Sequence, residues 1–263
     1  MAVWEKFEAD CTSYLNSKFG SYATFTHEGG SDSTVPDIKV NTKSGRVFYI
    51  DVKHCPAQCG QFVLLPDLET RTFAYSRLNA TSMNAYAKMI MDHMNLSFEE
   101  FKEAGTSGKD IVMQNGPSIF ADWIIQTYKN KGAEYFITND YAIVPVDRFL
   151  DFFTVNAKYR IKRSGSSSVG KSKMSSVIRH IQNGNYGVTG VRQDGGKLFV
   201  ASPRNIHNTR FIMDGTEYMF SARGSEYEIR KLSNTFNANV IFSIDLKTTR
   251  GSLSEADFIR FLE

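Results

Sequence analysis

Between residues 36 and 53 the chain alternates apolar and polar positions twice. Ile38 and Val40 stand against Asp37, Lys39 and Asn41; Phe48, Ile50 and Val52 stand against Val47, Tyr49, Asp51 and Lys53. A period of two predicts strands, here Asp37–Val40 and Val47–Lys53, with the even-numbered residues of both on one buried face. Sharing that sidedness in a hairpin requires directly opposed residue numbers to add to an even total. A two-residue turn at Ser44–Gly45 gives an odd total and carries Asp37 onto the apolar face. A three-residue loop, Lys43-Ser44-Gly45, keeps the faces apart and puts glycine where positive φ is needed. The register then opposes 41 with 47, 39 with 49 and 37 with 51. Two carboxylates confront each other, with Lys53 one step beyond on the same side. Such a pair destabilises a sheet unless a cation neutralises it.

Residues 2–19 carry Phe7, Cys11, Tyr14 and Leu15 near a 3.6 period and stop at Gly20, which predicts a helix. Tyr22–His27 reads as a strand and "EGGSDST" as a loop. Helical patterns run over 81–104 and Ser118–Lys131. "AEYFIT" and "YAIVPV" predict a strand pair, "DRFLDFF" a short helix, "AKYRIKR" a strand and Lys173–Gln182 a helix. Beyond them, segments such as "KLFVAS", "EYMFSA" and "NVIFSIDL" predict short strands. The chain therefore divides into an α/β part over 1–155, with a helical insertion at about 66–131, and a β-rich part over 156–263.

Composition narrows the function classes. A chain of 263 residues, 41% hydrophobic and 22% charged, can bury one large core with a smaller appended module. No apolar run is long enough to span a membrane. Cys11, Cys55 and Cys59 make an odd set with no disulfide framework, and "MAVWEKFEAD" lacks the regions of a signal peptide, so a cytoplasmic protein is expected. "HCPAQC" is too small a ligand set for zinc. A net charge of +3 says little about partners, but its distribution says more. From Phe152 to Gln193 there is no acidic residue, while Lys158, Arg160, Lys162, Arg163, Lys171, Lys173, Arg179 and Arg192 all fall there. Such a run suits a nucleic-acid backbone, with Arg160, Lys162, Arg163, Lys171 and Lys173 as cationic contacts and Ser164 and Ser166 as hydroxyl donors. Within it, Gly165 to Ser172 satisfies the pattern of a nucleotide phosphate loop. That loop needs a buried parallel strand before it, and Tyr159–Arg163 is too charged for one. The match is read as accidental, and NTP binding is not expected.

The stretch "PDIKV…FYIDVK" resembles the PD-(D/E)xK nuclease motif, with Pro36-Asp37 as its first half and Asp51-Val52-Lys53 as its second. Upstream, "WEKFEADCTSYLNSKFG" followed by "GGSDSTVPDI" is similar to the opening of Holliday-junction resolvases and many type II restriction endonucleases. The resemblance covers about residues 1–62. It implies a restriction-endonuclease-like mixed sheet flanked by helices, with the C-terminal part reading DNA. It further implies that Asp37, Asp51, the Val52 carbonyl and Glu8 hold Mg²⁺, with Glu5 the fallback for Glu8, and that Lys53 orients or deprotonates the attacking water. The length and the added parts favour a type II restriction endonuclease acting on double-stranded DNA as a homodimer. A resolvase-like or repair nuclease is the alternative within the class. An NTP-dependent or inactive nuclease-fold DNA-binding protein is the alternative outside it.

Overall fold

The computed structural model describes residues 3–28, 35–247 and 254–263. It divides into two compact units, residues 1–160 with 238–263, and residues 161–237. The boundary expected at 155/156 thus lies at 160/161, and the C-terminal segment returns to the first unit.

In chain order the first unit begins with α1 (Val3–Phe19), β1 (Ala23–His27), β2 (Ile38–Thr42) and β3 (Val47–Lys53). β4 (Ala57–Asp67), β5 (Thr72–Tyr75), α2 (Ala85–Leu96), α3 (Phe98–Lys102), β6 (Lys109–Asp110) and α4 (Gly116–Asn130) follow. Then come β7 (Ala133–Thr138), β8 (Ile143–Pro145), α5 (Phe149–Phe152) and β9 (Phe153–Arg163), which leads out of the unit. The second unit holds β10 (Ser166–Ser168), α6 (Met174–Asn183), β11 (Gly190–Asp194), β12 (Lys197–Ala201), β13 (Arg210–Met213), β14 (Thr216–Arg223) and β15 (Glu226–Leu232). β16 (Phe236–Leu246) returns to the first unit, and α7 (Glu255–Leu262) ends the chain. The loop expected at "EGGSDST" lies, beyond Glu28, outside the described residues.

The first unit carries two mixed-order sheets. One runs β1-β2-β3-β7-β8, antiparallel except for the parallel β3–β7 pair. The hairpin has the expected register: Ile38 opposes Ile50, Lys39 opposes Tyr49 and Asn41 opposes Val47. Residues 43–45 close it, with Gly45 at φ +88 and its N–H donating to the Thr42 carbonyl at 3.0 Å. The even face, with Ile38, Val40, Phe48 and Ile50, packs on Cys11, Leu15 and Phe19 of α1 and on Phe258 and Leu262 of α7. The odd face of the sheet lies under α4 and α5, where Phe136 meets Tyr128 edge-on at 4.9 Å and Phe149 at 6.0 Å. α4 falls within the stretch expected to be an insertion, yet it covers the central strands and belongs to the core.

The other sheet runs β5-β4-β16-β9-β6. The far side of α4 packs on it through Trp123, 5.5 Å from Phe62 and 4.5 Å from Phe242. β4 is a strand that periodicity does not reveal. Gly60 there adopts φ +101 with the Trp123 ring pressed against it, and the pairing with β16 shifts register between Ile241 and Ser243. A bulge breaks the alternation that would have announced the strand.

The second unit is one antiparallel sheet, β11-β12-β15-β14-β13 with β10 beside β15, whose core takes in Met174, Val177 and Ile181 of α6. Among the described residues no helix is long and apolar enough to cross a membrane.

Because α7 fills the even-face core, Phe258→Ala should cost about 3–5 kcal/mol, the range for truncating a buried phenylalanine. Phe258 is 1% exposed and stands edge-on to Phe19 at 5.0 Å and Tyr135 at 5.1 Å. Leu96→Ala, at a side chain 87% exposed, should leave the urea midpoint in place. Equal midpoints for the two variants would detach α7 from the core.

Candidate active site

β3 reaches the edge of its hairpin carrying Asp51 on the odd face, and the chain enters β2 one residue after Asp37. Continued by one step, the hairpin register brings these two carboxyl groups together. Asp37 Oδ2 accepts from the Val52 N–H at 2.8 Å, which ties the first motif residue to the strand of the second. Asp51 is 6% exposed and forms an ion pair with Lys53, two residues along the same face. The ammonium of Lys53 also lies 5.2 Å from the centre of the Tyr128 ring on α4. Asp51 Oδ2, although it faces Lys53, receives no well-directed hydrogen bond and is buried.

The electrostatics follow from this crowding. Burial first, and then the charge of Asp51, push the Asp37 carboxyl up to about 7; Lys53 and the Val52 N–H only partly oppose them. Burial, the largest single influence, pulls the Lys53 ammonium down, but Asp51 together with Tyr128, Cys59 and Asp37 outweighs it and holds the ammonium well above its ordinary value. Lys53 is therefore a cation at neutral pH. Cys59, on β4 behind Tyr128, is pushed by burial up to about 12 and is a neutral thiol.

Glu8 continues the buried stripe of Cys11 and Leu15 to the N-terminal end of α1. Its Oε2 meets His27 Nε2 at 2.9 Å. Glu8 lines a cavity of about 480 Å³ together with Asp37, Asp51, Lys53, Gln61 and Tyr128, whereas Glu5 does not border it. Among the described residues no three His, Cys, Asp or Glu side chains form a ligand cluster. Asp37 and Asp51 are the close pair, and Glu8 stands at the wall, near enough for its charge to be felt at Asp37. Gln58 borders this cavity and a second one of about 580 Å³, which Asn156, Lys158, Arg160 and Ser243 also line.

The basic run is less cationic than its sequence suggests, because strands distant in the chain bring carboxylates to it. Arg163 pairs with Glu217, Lys173 with Asp214 at 3.2 Å, Arg192 with Glu226 at 2.6 Å and Lys158 with Asp110 at 3.4 Å. Ser166 accepts from Arg230 through its hydroxyl at 3.2 Å and its carbonyl at 2.6 Å, and Ser164 donates to Asn237 at 2.9 Å. Lys162, Lys171 and Arg179 remain exposed cations of the second unit, and Arg160 belongs to the first. The residues between Gly165 and Gly170 form no phosphate loop: Ser166, Ser167 and Ser168 pair with Leu232, Lys231 and Arg230 as strand β10.

Sequence reasoning missed Tyr128 and Cys59 as neighbours of the site. No local signal marks them, since α4 and β4 reach the carboxylates only through packing. His27 ends the strand expected over Tyr22–His27, and its contact with Glu8 depends on how α1 packs against β1.

Comparison with family models gives no match, and comparison with curated protein sequences gives none either. Among solved structures the chain is similar to HhaI endonuclease in complex with DNA, with 36% sequence identity and a TM-score of 0.75. The likeness covers 95% of this chain and 93% of that one. It bears out the expected mixed α/β class with flanking helices and a β-rich C-terminal region. At that identity, and over nearly the whole of both chains, the protein belongs to the HhaI endonuclease family.

Proposed function

We propose that the protein is a Mg²⁺-dependent endonuclease that hydrolyses phosphodiester bonds in double-stranded DNA, a type II restriction enzyme with a PD-(D/E)xK site. The observation that carries this reading is the pair of carboxyl groups at Asp37 and Asp51, the first half-buried and the second buried, lining one cavity with Lys53. It occurs in a chain whose structural relative was solved with DNA.

The residues fit a hard divalent cation. Asp51 Oδ2 is a buried acceptor short of partners, and Asp37 is pushed up to about 7 by burial and the negative charge next to it. Both describe an excess of negative charge that one lysine does not balance. Asp37, Asp51 and the Val52 carbonyl would hold the ion, all of them oxygen donors as Mg²⁺ requires. When bound, the ion acidifies a water and offsets charge developing on the phosphate. Glu8, held by His27 at the cavity wall, would ligate the ion directly or through a water. Lys53, held as a cation beside Asp51, is suited to orient the attacking water and to offset charge on the phosphate. Lys162, Lys171 and Arg179, the exposed cations that remain of the basic run in the second unit, are suited to grip the backbone without reading sequence. Each chain supplies one such site, so cutting both strands takes either two chains or two successive events. The ratio of nicked to linear plasmid early in the reaction reads out which.

Asp51→Ala and Asp37→Ala should each abolish cleavage of plasmid DNA in Mg²⁺ while leaving DNA affinity within a few fold in a gel-shift assay. They remove ligands and leave the exposed lysines untouched. Cleavage at the wild-type rate in either variant would place the chemistry elsewhere.

Stability should depend on pH through Asp37 and on the cation. A carboxyl whose folded pKa is raised contributes stability that is fully present below its ordinary value of 3.8 and lost as pH rises through about 7. In EDTA the melting temperature of the wild type should therefore fall relative to Asp37→Asn between pH 5 and pH 8. Mg²⁺ at pH 8 should raise the wild type and not the variant, since the ion takes the place of the proton. Parallel pH profiles for the two proteins, unmoved by Mg²⁺, would contradict the assignment.

A further inference from the structure

Between β5 and α2 the chain runs through "SRLNATSMN", whose Leu78, Asn79, Ala80 and Thr81 border the cavity that Asp37 and Asp51 line. The segment opens with a tight turn. The Asn79 N–H donates to the Ser76 carbonyl at 3.2 Å, which leaves Arg77 and Leu78 at the two outer positions. Turn tips ordinarily take polar residues or glycine. This one carries an exposed arginine and a leucine that is 93% exposed. Among the described residues Arg77 makes no ion pair.

Single exposed leucines are common and carry nothing by themselves. Leu78 differs because its turn is fixed from beneath. The Asn79 side chain pairs with the backbone of Val63 on β4 as a strand would: Oδ1 accepts from the N–H at 2.7 Å and Nδ2 donates to the carbonyl at 3.0 Å. The Ser76 N–H donates to the same carbonyl at 3.1 Å, and the Ser76 hydroxyl accepts from the Leu78 N–H at 3.2 Å. Just past the tip, the Thr81 carbonyl accepts from the Tyr75 hydroxyl at 3.1 Å. The anchors face the protein while the apolar tip stays in solvent. Trp4 and Val35, also exposed, line the same cavity.

A partner for this tip has to take up a positive charge and an apolar wedge side by side. Double-stranded DNA does so, with phosphates along its edge and stacked bases between them, and leucine is among the side chains that enter such stacks. We infer that Leu78 is a wedge that enters the duplex at a base step beside the scissile phosphate, with Arg77 on the flanking backbone. The inference rests on the nuclease reading, which brings DNA to this cavity. Unstacking the step costs energy that the added contacts offset, and it loosens the strand next to the phosphate to be cut.

The test uses duplexes that carry the mapped cleavage sequence, with a fluorescent adenine analogue, brighter when unstacked, placed in turn at each base around the cut. Bound to the Asp51→Ala protein, which should bind without cutting, the analogue should brighten at one step beside the cut. Adding Leu78→Ser should abolish that rise, and adding Leu78→Phe should keep it. In the active chain Leu78→Ser should slow single-turnover cleavage by about 10-fold or more at an unchanged melting temperature, since so exposed a side chain supports no core. Leu68→Ser, at a leucine 70% exposed in the turn between β4 and β5, should cut at the wild-type rate. Arg77→Ala should weaken binding and flatten the dependence of log Kd on log salt by about 0.9, one phosphate contact. No rise at any position, the same rise with Leu78→Ser, or a wild-type cleavage rate in Leu78→Ser overturns the inference while leaving the nuclease reading intact. So does a loss of self-association in Leu78→Ser with the rise unchanged, which makes the tip a contact between copies of the chain. Intact DNA in Mg²⁺ with the wild type overturns the nuclease reading, and the wedge falls with it.

Discussion

Negative charge that one lysine cannot balance is the constraint around which the first unit is built. The hairpin register forces Asp37 and Asp51 together, and the packing around that face buries Asp51 and half-buries Asp37. Burying an unpaired carboxylate costs several kcal/mol, more than a typical surface interaction returns. The chain meets this cost in three partial ways: the Lys53 ion pair, the Val52 N–H on Asp37, and a proton held on Asp37 up to about pH 7. None is complete, and Asp51 Oδ2 is left without a directed donor. A fold concerned only with stability would place apolar residues here; the site is held short of neutrality.

That constraint explains the architecture nearby. α1 and α7 bury the even face with ordinary apolar packing and set the hairpin rigidly. α4 has the harder task of covering a face that carries a carboxylate and a lysine. It does so with Tyr128, whose ring packs on Phe136 and lies 5.2 Å from the Lys53 ammonium. The second sheet, through Trp123, Phe62 and Phe242, holds α4 down. The hairpin alone would leave Lys53 without the ring of Tyr128 beside it.

How much of this was legible depended on the range of the interaction. The hairpin, its three-residue loop and the opposed aspartates follow from alternation and parity alone, and the structure agrees residue by residue from Ile38–Ile50 to Asn41–Val47. α1 was readable from its period, and Glu8 lies on its buried stripe with Cys11 and Leu15. β4 was hidden by the bulge near Gly60, and α7 by a C-terminal region dominated by strand-like segments. The acid-free run from Phe152 to Gln193 was read as a continuous basic patch, because sequence shows which charges are neighbours in the chain and not in space. Glu217 and Glu226 from later strands, and Asp214 from the turn between β13 and β14, pair with it. Tyr128 was illegible for the same reason.

The central claim is that this carboxylate pair cuts DNA with a divalent cation. Sequencing the fragment ends left after incubating the purified protein with phage or plasmid DNA and Mg²⁺ tests it most directly. The account predicts ends that fall at one short recurring sequence and vanish when EDTA replaces Mg²⁺. Intact DNA in Mg²⁺, or ends unaffected by EDTA, would contradict it.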